Sequence, residues 1–121
     1  MAEGFSTAAA NSALDAQVTA YPWLKLHVGA PGAAGTANPA TETTRKNPSF
    51  AAASGASKAT SADAVWTAVA GTEDYTHFSM WTASSGGTFG GSGTITANAV
   101  TSGDTFTIPA GTLVLTLPVA S

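Results

Sequence analysis

The chain has 121 residues, of which 9% are charged; four basic and seven acidic side chains give a net charge of −3, and cysteine is absent. That length suits a single domain spanning residues 1–121 with one hydrophobic core, and four basic residues, of which only Arg45 and Lys46 adjoin, cannot neutralise a run of nucleic-acid phosphates. Without thiols there is no disulfide framework or thiolate metal site, and no run approaches the roughly 18 apolar residues that a membrane span requires.

Residues 5–20 form the one helical stretch. Ser6 or Thr7 can cap it, Ala10, Leu14, Val18 and Tyr21 make a narrow apolar stripe, and Pro22 ends it. Such a helix lies on the sheet layers or docks as an arm on a neighbouring subunit. Residues 23–28 alternate, with Leu24, Leu26 and Val28 on the core face and Trp23, Lys25 and His27 on the polar face. A Gly/Ala/Pro-rich loop follows over residues 29–38, and the β-branched, charged residues 41–46 read as an exposed edge strand.

Residues 62–70, carrying Val65, Trp66 and Val69, read as a strand, and residues 71–74 as a turn. Residues 75–83 alternate again, with Phe78 and Met80 facing the core and Tyr75, His77, Ser79 and Trp81 facing away. The glycines of residues 84–93 call for tight turning, a bulge or the close approach of another backbone, with Phe89 as the anchor. Residues 86–121 read as two consecutive hairpins, in which Phe106 and Ile108 share one face and Leu113, Leu115 and Leu117 another, on either side of the Pro109-Ala110-Gly111 turn. The sum is an all-β domain, a β-sandwich or jelly roll of about seven or eight short strands with one N-terminal helix.

Chemistry is sparse. Two histidines and no cysteine do not make a zinc site, the adjacent Glu73 and Asp74 suit a solvated turn better than a glycosidase pair, and the glycine run lacks the lysine and following helix of a phosphate loop. No catalytic residue, metal ligand or cofactor is expected. His27 and His77 approach each other only if their strands are neighbours. The aromatic residues Tyr21, Trp23, Trp66, Tyr75 and Trp81 suit either core and subunit contacts or a sugar platform. Tyr75, His77 and Trp81 are the candidate glycan contacts, and Arg45 and Lys46 the candidate protein contacts.

The segments Trp23-Leu24-Lys25-Leu26-His27-Val28-Gly29-Ala30-Pro31-Gly32, Gly71-Thr72-Glu73-Asp74-Tyr75-Thr76-His77-Phe78-Ser79-Met80-Trp81 and Asp104-Thr105-Phe106-Thr107-Ile108-Pro109-Ala110-Gly111, with the Ala-rich helix, resemble a family of small virion proteins of tailed actinobacterial phages, of tail-fibre or minor-tail type. The resemblance implies a non-enzymatic structural protein assembled in the host cytoplasm and carried on the virion exterior. Its implied partners are other tail proteins and further copies of itself, with capsid decoration (against the major capsid protein) and host-glycan recognition as the alternatives.

Overall fold

The computed structural model describes residues 3–120. Among them are α1 (Thr7–Ala20) and seven strands: β1 (Trp23–His27), β2 (Ser57–Ala59), β3 (Ala64–Trp66), β4 (Glu73–Trp81), β5 (Phe89–Val100), β6 (Phe106–Ile108) and β7 (Val114–Thr116). Every ladder is antiparallel: a three-stranded sheet in the order β1-β4-β5, a β2–β7 ribbon and a β3–β6 ribbon. One core joins Leu24, Leu26, Phe78 and Met80 of the sheet to Trp66, Phe106 and Ile108 of the β3–β6 ribbon and to Leu113 ahead of β7. The protein is therefore all-β with one N-terminal helix, its sheet and ribbons enclosing the core as the layers of a sandwich do.

Sequence dictates the helix boundaries as expected. The Ser6 hydroxyl accepts from the Ala9 amide at 3.1 Å, Ala10 and Leu14 are buried, and Tyr21 closes the C-terminal end. The helix packs on its own chain and is held at three places, the first where Asn11 Oδ1 accepts from the Ala56 amide at 2.8 Å. Asp15 Oδ1 accepts from Lys58 Nζ at 2.6 Å and from the Ala53 amide at 3.0 Å, while Gln17 Nε2 donates to the Gly90 carbonyl at 2.9 Å. The ammonium of nearly buried Lys58 holds the Asp15 carboxyl below the usual carboxylate range, helped by the Ala53 amide.

The two C-terminal hairpins do not form. The stretch around Thr94 belongs to the long strand β5 and pairs with β4; β6 pairs with β3, and β7 with β2. The turn after Ile108 exists, with the Thr112 amide on the Pro109 carbonyl. The Gly111 amide, however, donates to the Thr60 carbonyl at 2.7 Å, and the Thr60 amide to the Leu113 carbonyl at 3.1 Å. These bonds deliver the chain to β2. Pairing β6 with β3 sets Trp66 and Phe106 side by side, with ring centroids 5.8 Å apart, and adds that stack to the core. The leucine alternation still holds across the shortened strand: Leu113 is buried and Leu115 and Leu117 half-buried, while Val114 and Thr116 are exposed.

Residues 41–46 are not a strand. They run along the outer edge of β1, tied at Leu24–Lys46 and again where the Ala40 amide meets the Leu26 carbonyl. Between those points Glu42 turns inward and is buried, its carboxylate accepting from the amides of Thr44 and Ala70, which breaks the ladder. Val28 lies past the end of β1 and is 41% exposed rather than in the core. Glu73 and Asp74 open β4 instead of forming a turn, and the Glu73 carboxylate accepts from the Thr41 amide.

Candidate functional site

β4 is the middle strand of the sheet, and both of its faces are covered. On the core face lie Phe78 and Met80. On the opposite face the β1–β4 register places Trp23 opposite Trp81, Lys25 opposite Ser79 and His27 opposite His77, so the two histidines do meet across one ladder at backbone level. Residues 29–46 fold over this second face, and His27 and Ser79 are 0% exposed beneath them.

A chain of hydrogen bonds runs through the buried side chains. The Trp81 indole N–H donates to Ser79 Oγ at 2.7 Å, Ser79 Oγ lies 2.7 Å from His27 Nε2, and His27 Nδ1 lies 2.9 Å from the Ala37 carbonyl. A carbonyl can only accept, so the neutral ring carries its proton on Nδ1, and Nε2 accepts from the Ser79 hydroxyl. A serine hydroxyl donating to an imidazole whose other nitrogen is oriented by an oxygen is the arrangement that activates nucleophiles. Here it is sealed: no reacting carbon can reach Ser79, and Trp81 already donates to its oxygen. What the network does is pin residues 29–46 to the sheet.

Burial holds the His27 imidazole below its usual 6.5, the Ala37 carbonyl pulling the other way and the positive charges of Lys25 and His77 adding to the depression. The unfolded chain therefore takes up this proton at a higher pH than the folded chain does. The stability tied to neutral His27 is complete above about 6.5 and is lost as pH falls below it, by up to about 1.4 kcal/mol per pH unit. Urea midpoints measured at pH 7.5 and 5.5 should fall with acidification, and a His77→Gln variant should keep that fall. A midpoint that does not change between the two contradicts this role for His27.

The five candidate contact residues occupy different environments. Tyr75 is fully buried, its ring edge-on to Phe106 at 4.9 Å, and its hydroxyl makes no hydrogen bond to the described protein atoms. Burial, with the nearby Glu73 and Glu42 charges, pushes its phenol up to about 12. A register shift in the β4–β5 ladder lies between Tyr75 and His77, where Tyr75 joins the core instead of the His77 face. Trp81 is 8% exposed, with the Arg45 guanidinium 4.5 Å over its ring and Phe89 at 5.6 Å. Neither ring offers an open face for a sugar, so the three-residue glycan platform is not assembled. His77 is half-buried, with Nδ1 2.8 Å from Thr76 Oγ1.

Arg45 is committed within the chain, donating from Nη1 to the carbonyls of Ala83 and Gly86 and so closing the turn that leads into β5. Lys46 serves through its backbone, which exchanges two hydrogen bonds with Leu24. Sequence reasoning missed Ser79 as a buried hub and Glu42 as a buried acid. Each sits in an alternating segment whose polar side is covered only through the path of a distant loop.

The accessible concavities lie elsewhere. A groove of about 580 Å³ runs between α1, the β4–β5 ladder and β7, lined among others by Phe5, Leu14, Phe78, Met80, Val114 and Leu117. A second, of about 250 Å³, lies between β5 and β6 beside Ile95, Phe106 and Ile108. No titratable side chain lines either one, which equips them for contact rather than for proton transfer; a third concavity, of about 440 Å³ beside α1 and Phe50, is lined by Asp15 and Lys58, which are paired with each other. No curated protein matches the chain. A family model described as "Podophage GP4 fiber I protein gp80" matches residues 4–116, and with nearly its whole length covered the chain belongs to this family of phage fibre proteins.

Proposed function

We propose that the protein is a non-enzymatic structural subunit of a phage fibre, mounted on the virion exterior and held there by contact with further copies of itself and with tail proteins. The observation that carries the reading is the separation of chemistry from surface. The Ser79–His27 pair is sealed under residues 29–46, the two grooves beside β5 are lined without an ionisable group, and the charges that line a third concavity, Asp15 and Lys58, are spent on each other in an ion pair. Membership of a fibre-protein family supports the same role. A chain in which 9% of residues are charged also has little electrostatic resistance to lasting association.

Immunogold electron microscopy of intact particles with antibody against the folded chain tests the proposal. Gold on tail fibres is the expected result. Gold spread over the capsid shell supports decoration of the head instead, and unlabelled particles with the protein left in the soluble fraction remove the virion role altogether.

A further inference from the structure

β5 ends the three-stranded sheet, and among the described residues no strand pairs with its outer edge. Its twelve residues contain no charge and no proline, two of the devices that ordinarily keep an open edge from pairing with another chain, although its ladder with β4 shifts register at two places. Two of the four large apolar side chains left exposed, Phe5 and Val114, sit on the groove beside this edge, next to Gly91, Gly93 and Thr94. The smaller groove continues along Ile95 toward β6. The edge is long, uncharged and apolar at its rim, and no further strand joins it among the described residues.

We infer that β5 is the seam through which two copies of this chain join, β5 pairing antiparallel with β5 of the second copy across a twofold axis. This deepens the fibre reading and rests on it. Charge selects this occupant: the groove holds no group to compensate a charged partner, and the strand of this chain that matches the edge in length and neutrality is β5 itself. The chain builds every one of its own ladders antiparallel, and a self-complementary antiparallel seam closes after two copies.

Size also suffices. The ten residues of β5 beyond Gly90, at about 3.3 Å each, span roughly 33 Å. A contact strip of that length and about 15 Å width buries on the order of 500 Å² per copy, about 1,000 Å² in total, which reaches the roughly 1,000 Å² that a specific interface needs. The Gly90 carbonyl is already taken by Gln17, which centres the seam further along the strand, near Thr94.

The test is sedimentation equilibrium of the purified full chain at micromolar concentrations. A dimer is expected. Thr94→Lys and Ser92→Lys, both at exposed positions of the strand, should each weaken it by on the order of tenfold or more while circular dichroism stays unchanged. Thr43→Lys, exposed but away from β5, should leave it intact. Thr94→Cys should yield a disulfide-linked dimer on mild oxidation. A monomeric native chain, or a dimer indifferent to both β5 lysines, overturns the inference. Either result leaves the fibre reading standing if the chain is still found on the particle.

Discussion

Ser79→Ala is expected to destabilise the fold by about 2–5 kcal/mol, read from urea denaturation at pH 7.5. The change removes one oxygen but leaves two partners behind: the Trp81 indole N–H loses its acceptor, and His27 Nε2 loses its donor. Both lie where water does not reach, and each buried polar group left without a partner costs about 1–3 kcal/mol. Against a total stability of roughly 5–15 kcal/mol for an ordinary domain, that loss is large. Ser92 faces Ser79 directly across the β4–β5 ladder yet is exposed, and Ser92→Ala should change stability by less than about 0.5 kcal/mol. If the two serines prove equally tolerant, the buried network does not hold residues 29–46 in place.

The second large effect is steric. A Cβ added at Gly90 would lie 2.1 Å from Tyr21 Cγ and within 2.4 Å of both adjoining ring carbons. The ring rests on the glycine backbone, and the same residue gives its carbonyl to Gln17 one turn earlier in the helix. Gly90→Ala must therefore lift the C-terminal end of α1 or bend β5, at a cost of about 3 kcal/mol, toward the upper end of overpacking. Gly55→Ala is the useful contrast. Its φ of +60° strains any side chain, but nothing lies within 4 Å, so left-handed strain of about 1 kcal/mol is the whole cost. Combining Gly90→Ala with Tyr21→Ala should recover part of the loss, and a strictly additive pair would place the strain somewhere other than that ring.

These two sites also separate what was legible in the sequence from what was not. The glycine run signals that something comes close to the chain there, but the groups that approach Gly90 and Gly93 are the side-chain rings of Tyr21 and Phe78 and not the second backbone that the glycines alone suggest. The helix cap at Ser6, the alternation of Leu24 and Leu26, and the inward pair Phe78 and Met80 were likewise open to local reading, because each follows from the period of one element.

Ser79 and His27 were not. Alternation marks one face as polar on the assumption that water covers it, whereas here residues 29–46 do. The same covering buries Trp81 under Arg45, which turns a candidate sugar platform and a candidate contact residue into a single internal stack. Strand partners were equally out of reach. Pro109-Ala110-Gly111 signals where the chain bends, but a bond from Gly111 to Thr60, 51 positions earlier, decides that β7 goes to β2. No local signal carries that choice.

The central claim is that this chain is a fibre subunit whose open surface is spent on contact with protein. A cryo-electron microscopy reconstruction of the particle's tail region tests it most directly. The account predicts density for residues 4–116 repeated within a tail fibre, with the apolar groove between α1, β5 and β7 covered by neighbouring protein. Particles whose fibres are fully accounted for by other chains, with no density for this one, would contradict it.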